Sequence, residues 1–289
     1  DEYDRSFLQL KPDITILTSA DPDHLDIYGT HQELLNAYKE FAAQTKAEGL
    51  LVHHHQIAPP TLQEGTKAVS FGLEAGDWHA RNIRVEDHAF TFELVHDDQA
   101  DKLKSGVPGD HNILNITAGC AALKNLVKDS AIFQQASASY QGVKRRFEYI
   151  LDEPEVVFVD DYAHHPKELD YTIKTLQKLY PGNKITGIFQ PHLFSRTRDF
   201  SGDFARVLAQ LDKVILLPIY PAREEPIEGV SSDLILRQMD HPDKQLLEKE
   251  ELIPFLEQDE NNIISTLGAG DIDRLVAPIK EALVKTRLQ

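Results

Sequence analysis

The chain has 289 residues, of which 41% are hydrophobic, so it is long enough for about two globular domains with buried cores. Its 47 acidic residues outnumber the 30 basic ones, and the net charge of -17 argues against a surface that binds nucleic acid or an anionic membrane. A single cysteine, Cys120, excludes a disulfide framework and fits a reducing, cytoplasmic setting. No apolar run reaches the roughly 20 residues of a membrane span. Because the chain opens on Asp1 inside a polar turn sequence, we expect a fragment that lacks an upstream portion.

Amphipathic and alternating segments divide the first part of the chain into helices and strands. The series DITILTS predicts a strand, and Leu34, Tyr38 and Phe41 after it recur at helical spacing. Short strand-like pieces between residues 67 and 105 predict a small mixed or antiparallel layer. The predicted elements are a strand over 13–19, a helix over 31–47, strands over 49–55, 68–74, 78–85 and 89–95, a buried helix within 107–127 that contains Cys120, and a helix over 129–140.

One histidine and three aspartates cluster where the first predicted strand ends. The cluster consists of Asp21, Asp23, His24 and Asp26. Carboxylate oxygens with one imidazole can hold a hard divalent cation, but the same residues are equally typical of a polar turn. The three histidines at 53–55 lie in a predicted strand, where neighbouring side chains point to opposite faces, so they are interpreted as structural.

From about residue 142 onward strands and helices alternate, which predicts a parallel, doubly wound sheet. The change of pattern at QGV predicts two α/β domains, residues 1–141 and 142–289. Each strand ends in a polar or glycine-containing turn, and these turns share the sheet edge where ligands bind. The predicted elements are strands at VVFVD, KITGIFQ, KVILLPI and NNIISTLG, with helices over 166–179, 201–211, 231–240 and 272–287.

The turn DDYAHHPKEL places two aspartates, a tyrosine and two histidines before a predicted helix. Pro166 suits the first helical position, and the N–H groups at this helix start can bind an anion. The alternative is that Asp160, Asp161 and the histidines only cap the helix.

Two basic clusters interrupt the acidic sequence. Lys144, Arg145 and Arg146 precede a predicted strand and suit the docking of a polyphosphate, unless they form only a solvated turn. Arg196 and Arg198 form the second cluster, in a stretch interpreted as a loop. The motif GAGDID resembles the start of a dinucleotide fingerprint but lacks the third glycine, so it indicates NAD only weakly.

Motifs along nearly the whole chain resemble those of the Mur ligase family. In chain order they are DEYDRSFLQL, DPDHLDIYGT, GDHNILN, GVKRRFE, DDYAHHP, FQPHLFSRTRD, LPIYPARE and GAGDID. The resemblance implies an ATP-dependent ligase of peptidoglycan synthesis with a UDP-binding domain, a central ATPase domain and a C-terminal dinucleotide-fold-like domain. Residues 1–141 would be the central ATP-binding domain, truncated at its start, and residues 142–289 the C-terminal domain.

Within the family, the motifs are most similar to the branch that joins L-alanine to the lactyl carboxylate of UDP-N-acetylmuramate through an acyl phosphate. The murein peptide ligases are similar but usually differ around DEYD and DHLDIY. The P-loop pattern G-x-x-x-x-G-K-[ST] does not occur in this chain, and the family's metal-binding glutamate belongs upstream of DEYD. We therefore expect the chain alone to be inactive.

The resemblance also implies roles for individual residues, with ATP and Mg²⁺ as cofactors. On the nucleotide side they are His24 as magnesium ligand, His111 and Asn112 at the adenine, Asn115 in support, Arg146 on the phosphates and Asp161 reaching from the C-terminal domain. On the acceptor side Tyr162, His164, His192 and Arg196 surround the muramoyl and alanine groups, and Arg146, His164, His192 and Arg196 are the implied catalytic residues.

Two other classes of function stay open on the residues alone. A metal-dependent hydrolase could use His164, His165, His192 and Asp161, and would need no ATP. A non-catalytic binding module would bind nucleotide or partner without turnover. One departure from the family is Leu193, since many relatives have arginine after the histidine of QPH.

Overall fold

Two separate β-sheets organise the chain, one in each of two units, residues 1–140 and 141–289. The computed structural model describes residues 2–22, 25–86, 89–127 and 129–288. Within these ranges no helix combines the length and apolar character needed to cross a membrane.

Unit 1 combines parallel strands with an antiparallel ribbon. Its elements are β1 (Ile14–Leu17), α1 (Leu25–Tyr28), α2 (His31–Ala43), β2 (Leu50–His54), β3 (Lys67–Leu73), β4 (Trp78–Glu86), β5 (Ala89–His96), β6 (Gln99–Ser105), α3 (Asp110–Leu123) and α4 (Ser130–Ser139), after a 3-10 turn at Ser6–Gln9. The strands lie in chain order; β1 to β4 pair in parallel, and β4 to β6 pair antiparallel. The predicted mixed layer is therefore confirmed, but it extends the same sheet.

Helix α3 covers this sheet and contacts β1, β2, β3 and β4. Its buried side chains include Ile113, Ala118 and Cys120, as expected for the helix predicted within 107–127. Burial raises the pKa of the Cys120 thiol to about 12, so it remains a thiol at neutral pH and serves as a small core residue.

Unit 2 is doubly wound, as predicted. Its elements are β7 (Glu148–Asp152), β8 (Val157–Asp161), α5 (Pro166–Leu179), β9 (Ile185–Phe189), α6 (Phe194–Leu208), β10 (Lys213–Leu216), α7 (Ser232–Gln238), β11 (Lys244–Leu246), α8 (Lys249–Leu256), β12 (Ile263–Leu267) and α9 (Asp273–Arg287). The strand order is β11-β10-β9-β12-β8-β7, and all neighbours pair in parallel except the edge strand β7.

The two faces of the unit 2 sheet bury different helices. Alternate strand residues such as Phe158, Ile188 and Ile264 form one core with α8 and α9. On the other face, Phe189 packs against Phe204 of α6, and α6 contacts both α5 and α7. After β9 the chain adds β10 and β11 on one side of the sheet, and β12 then inserts between β9 and β8. The direction in which strands are added therefore reverses between β9 and β12. Ligands bind beside such a reversal, at the carboxyl ends of the strands.

One helix boundary differs from the prediction in a way that concerns function. The helix predicted over 201–211 is α6, which begins at Phe194 and ends at Leu208, so Arg196 and Arg198 are helical and not in a loop. Helix α2 also ends earlier than predicted, at Ala43. Strands β6 and β11 and helix α8 were not predicted. The polar sequence QADKLKS of β6 lacks an apolar run, as is common for edge strands.

Candidate active site

A row of four rings lies along the carboxyl edge of the unit 2 sheet. Tyr162 and His164 follow β8, His192 follows β9, and Tyr220 follows β10. Ring centroids are 5.3 Å apart for Tyr162 and His164, 6.0 Å for His164 and His192, and 5.7 Å for His192 and Tyr220. The expected proximity of His192 to the Tyr162 turn is therefore observed. We call these four side chains the ring row.

His192 is electrically neutral at pH 7 in this setting. Burial is the main cause, and electrostatic interactions with His164 and with the Arg196 guanidinium add to it, so the pKa of His192 is lowered to about 4. Its Nδ1 atom is buried and makes no hydrogen bond to the described part of the chain. A neutral imidazole here can exchange hydrogen bonds with a ligand but is a weak acceptor of protons.

Backbone bonds join the turns after β9 and β10. The N–H of Leu193 donates to the Tyr220 carbonyl at 3.0 Å, and the N–H of Tyr220 donates to the Pro191 carbonyl at 2.8 Å. Leu193 has φ 70° and ψ 136°, a region that L-residues seldom occupy, so this turn is strained at the residue that departs from the family pattern. Strain of this kind persists where surrounding contacts fix the backbone.

Glu224 is one of those contacts, because it closes the start of helix α6. Its carboxylate accepts the backbone N–H of Ser195 at 3.0 Å and the Ser195 hydroxyl at 2.5 Å. Although partial burial acts against it, these bonds lower the pKa of Glu224, so the residue is ionised at neutral pH. It also complements the positive end of the helix.

The two arginines of this helix start have different surroundings. Arg196 is partly buried and close enough to influence His192 electrostatically. Arg198 is exposed and pairs with Asp199 at 2.7 Å, while Asp203 pairs with Arg206 at 2.8 Å. The predicted basic cluster is thus divided, and Arg196 is its member at the ring row.

The basic cluster before β7 is divided in the same way. The Arg145 guanidinium contacts Asp160 at 3.2 Å and donates to the Gly268 carbonyl at 2.7 Å, which ties the end of β8 to the turn after β12. Arg146 is about half exposed, lies 5.3 Å from the Tyr162 ring centre and is 3.5 Å from Glu168. Arg145 is therefore structural, and Arg146 is the residue available to a ligand.

The two aspartates of DDYAHHP point to opposite faces of the sheet. Asp160 accepts the Thr266 hydroxyl at 2.6 Å and pairs with Arg145. Asp161 accepts the Thr172 hydroxyl at 2.7 Å and the Ala163 N–H at 3.0 Å. Both carboxylates are buried and engaged inside unit 2.

The predicted anion site at the start of α5 is not supported. The N–H groups of His164 and His165 donate to Glu168, and the N–H of Lys167 donates to His165 Nδ1. His165 and Glu168 form a reciprocal capping box, so capping explains part of this histidine pair.

The glycines of GAGDID serve close packing. A Cβ at Gly268 would lie 2.7 Å from the Gln190 carbonyl oxygen, and one at Gly270 would lie 2.6 Å from Tyr220 Cβ. The Gln190 side chain also donates to Asp271 at 2.8 Å and accepts the Ile272 N–H at 2.9 Å. These contacts explain the motif without a dinucleotide.

Three further residues implied by the resemblance lie at the start of α3 in unit 1. Gly109, with φ 104°, turns the chain into the helix. His111 is partly buried, Asn112 donates its side-chain amide to the Pro108 carbonyl at 2.7 Å, and Asn115 is exposed. His111 and Asn115 are four residues apart on one helix face, which permits contact with a single ligand.

Only part of the predicted metal site lies among the described residues. Asp23 and His24 lie outside the described residues, as does the side chain of Asp26, and Asp21 accepts the Ser19 hydroxyl at 2.6 Å. Across residues 2–22, 25–86, 89–127 and 129–288, no three His, Cys, Asp or Glu side chains converge as possible metal ligands. His24 therefore stays a prediction.

The same geometry disfavours a metal-dependent hydrolase at the ring row. His165 caps α5 and packs against Phe200, with ring centres 5.0 Å apart. Asp161 is directed towards Thr172. These two side chains therefore do not converge with His164 and His192 on one position.

Comparison with known proteins identifies the relatives of this chain. Residues 2–123 match the Mur ligase middle domain, and residues 145–272 match the Mur ligase glutamate ligase domain. The chain belongs to the Mur ligase family. This Mur ligase chain is 46% identical over 289 residues to UDP-N-acetylmuramate–L-alanine ligase of Parabacteroides distasonis, covering 99% of the chain and 62% of that protein.

Solved structures agree with this assignment. UDP-N-acetylmuramate–alanine ligase from Thermotoga maritima has 26% identity and a TM-score of 0.78, covering 99% of this Mur ligase chain and 63% of that one. The MurF ligase of Thermotoga maritima, solved in complex with ADP, has 18% identity and a TM-score of 0.75, covering 97% and 65%, and shares the fold. The chain thus spans less than two thirds of these relatives.

Sequence reasoning missed four residues of this edge, namely Glu168, Gln190, Tyr220 and Glu224. Glu168 had a local signal, because a glutamate at the third helical position after a capping residue is typical of a capping box. The other three act through partners far along the chain, so no local pattern indicated them.

We predict that Asp161→Asn stabilises nucleotide-free unit 2 above pH 6. Burial raises the pKa of Asp161 to about 6, although bonds from Thr172 and Ala163 act in the opposite direction. An unfolded aspartate titrates near 3.9, so the native state binds more protons between about pH 4 and 6 and loses stability as pH rises through that range. The variant should gain up to about 3 kcal/mol above pH 6 and nothing below pH 4.

The measurement is the unfolding free energy of both proteins from pH 3.5 to 8. Asp170→Asn serves as the control of opposite sign, because bonds from Gln210 and Lys174 outweigh partial burial and lower the pKa of Asp170. A stability difference for Asp161→Asn that did not change with pH would contradict the prediction.

Proposed function

We propose that this chain forms the central ATP-binding and C-terminal domains, residues 1–141 and 142–289, of an ATP-dependent ligase. The proposed reaction joins L-alanine to the lactyl carboxylate of UDP-N-acetylmuramate in peptidoglycan synthesis. The observation that carries the proposal is the 46% identity, over 99% of the chain, to a protein that bears this activity in its name. The cytoplasm is the proposed location.

ATP would supply a phosphoryl group that activates the carboxylate as an acyl phosphate. His24 is the residue proposed to hold Mg²⁺, which would offset negative charge on the phosphoryl group. The residues proposed for the adenine are His111 and Asn112, with Asn115 in support. Charge on the transferring phosphoryl group needs fixed cations, and Arg146 is the exposed cation beside Tyr162. Asp161 is proposed on the nucleotide side, although both its oxygens are engaged within unit 2.

The ring row is proposed to receive the acceptor groups. Arg196, next to His192, can pair with the alanine carboxylate or a developing oxyanion. Tyr162, His164 and His192 provide aromatic faces and hydrogen-bonding atoms around the muramoyl and alanine groups. The alanine amine must lose a proton before it can attack, and a neutral ring in this row could accept it.

The test is phosphate release by the full-length gene product that contains this chain. With UDP-N-acetylmuramate and ATP–magnesium, we expect L-alanine to stimulate release well above the blank, and glycine and L-serine to stimulate it less. A free murein peptide in place of alanine tests the related murein peptide ligase activity. Stimulation by that peptide alone, or release without any acceptor, would contradict the proposal.

A further inference from the structure

Glu168 contacts Arg146, which is proposed for the nucleotide phosphates, and His164, which is proposed for the acceptor side. One carboxylate oxygen lies 3.5 Å from the Arg146 guanidinium. The other accepts the N–H groups of His164 and His165 at 3.0 and 3.2 Å and lies 3.3 Å from His164 Nδ1. Although burial acts against it, the electrostatic interaction with His164, these bonds and the nearby Arg146 guanidinium lower the pKa of Glu168, so it is a carboxylate at neutral pH.

The surroundings of His164 Nδ1 define its tautomer. This atom is 2.9 Å from the Tyr162 carbonyl oxygen and 3.3 Å from Glu168 Oε2. Both neighbours are acceptors only, so Nδ1 must carry the hydrogen. In a neutral ring, Nε2 then has the lone pair.

We propose that Glu168 is a positioning residue that holds His164 as the Nδ1–H tautomer, so that Nε2 accepts the proton released by the alanine ammonium. The N–H bond of the ammonium breaks, its proton moves to Nε2, and the freed nitrogen lone pair attacks the acyl carbon, whose C=O electron pair moves to oxygen. As the carbonyl re-forms, the acyl C–O bond to phosphate breaks, inorganic phosphate leaves with that electron pair, and the new amide nitrogen loses its second proton to the departing phosphate. The Glu168 carboxylate stabilises the imidazolium that forms. This inference rests on the proposed function.

Two features favour His164 over His192 for this role. His192 has no carboxylate within hydrogen-bonding distance among the described residues, and its Nδ1 is buried without a partner. The pKa of His192, lowered to about 4 by burial and nearby positive charge, makes it a weak base. His164 instead has a carboxylate and a carbonyl on the nitrogen opposite the one that would take the proton.

The first measurement needs no activity. Long-range proton–nitrogen NMR of the 289-residue chain distinguishes the two tautomers of each histidine, and the signal of His164 is assigned from its loss in His164→Gln. We expect the Nδ1–H tautomer in the wild type and in Glu168→Gln, whose amide oxygen can replace the accepting carboxylate oxygen. In Glu168→Ala we expect the Nε2–H tautomer to become populated. An Nε2–H ring in the wild type would overturn the inference.

The second measurement is steady-state kinetics of the full-length gene product. Glu168→Ala should lower kcat/KM for alanine by about tenfold or more, because general-base catalysis depends on the placement of the ring. Glu168→Gln should recover part of this loss. Glu251→Ala is the matched control, since Glu251 occupies the same position in a capping box on α8. It should reduce thermal stability about as much as Glu168→Ala and leave kcat/KM unchanged.

The outcomes separate the inference from the function on which it rests. Equal kinetic effects of Glu168→Ala and Glu251→Ala would show that Glu168 only caps its helix, and the inference would be wrong. If the wild-type protein shows no alanine-dependent turnover, the proposed function fails and the role of His164 as base fails with it, while the NMR result on the tautomer still stands.

Discussion

Arg146→Ala in the full-length gene product is expected to lower kcat/KM for ATP by about 30- to 900-fold, which corresponds to about 2–4 kcal/mol of lost transition-state stabilisation. The side chain is half exposed, and its described partners are Glu168 at 3.5 Å and the Tyr162 ring at 5.3 Å. A surface pair of this kind contributes at most about 1 kcal/mol to stability. The melting temperature should therefore change little while ATP use is severely impaired.

Two companion variants make this prediction specific. Arg146→Lys keeps the charge but loses the planar fork of donors, so we expect an intermediate loss. Arg145→Ala removes the guanidinium from the buried Asp160 and from the Gly268 carbonyl, so it should chiefly destabilise unit 2. Unchanged ATP kinetics in Arg146→Ala, or a fall in melting temperature as large as that of Arg145→Ala, would remove Arg146 from the proposed phosphate site.

Local signals made some parts of unit 2 predictable. Helix α5 runs from Pro166 to Leu179, as predicted, because its first-turn proline and its apolar period both lie within its own sequence. The doubly wound sheet was likewise evident from alternating strands and helices. The proximity of His192 to Tyr162 and His164 followed from one physical rule, since parallel strands bring their trailing turns to the same edge.

Distant partners made other parts unpredictable. Helix α6 begins at Phe194, earlier than predicted, and the carboxylate that closes its start belongs to Glu224, 29 residues beyond Ser195. The residue before the helix, Leu193, offers no side-chain cap. No window around Leu193 contains the signal that begins this helix.

Adjacent residues of like chemistry also diverge in the structure. Arg145 and Arg146 form one cluster in the sequence, yet the Arg145 side chain links β8 to the turn after β12, whereas the Arg146 side chain is half exposed. Asp160 and Asp161 point to opposite faces because strand side chains alternate. The topology decides which helices cover each face of the sheet. The sequence pattern alone therefore could not show that the two members of each pair have different contacts.

Lys213→Met is expected to lower the free energy of opening of unit 2 by about 3–5 kcal/mol. The ammonium of Lys213 lies 2.6 Å from Asp259, whose side chain is fully buried. The other Asp259 oxygen accepts the Thr186 hydroxyl at 2.7 Å. Methionine preserves much of the side-chain volume but removes the ammonium that pairs with the buried carboxylate, which is the costly change for an ion pair.

The measurement is native-state hydrogen exchange of amides in β9, β10 and β12, which reports the opening of unit 2 even if the two units unfold separately. Lys174→Met is the matched control, because the Lys174–Asp170 pair has the same 2.6 Å distance but is 55% exposed at the lysine. Lys174→Met should cost less than about 0.5 kcal/mol.

A double variant tests the cause of the loss. Combining Lys213→Met with Asp259→Asn also removes the buried carboxylate charge, so the double variant should be more stable than Lys213→Met alone. The pair lies at the amino ends of the strands, opposite the ring row, so kcat/KM below the melting transition should not change. Equal costs for the two lysine variants would show that distance, and not burial, decides the strength of these pairs.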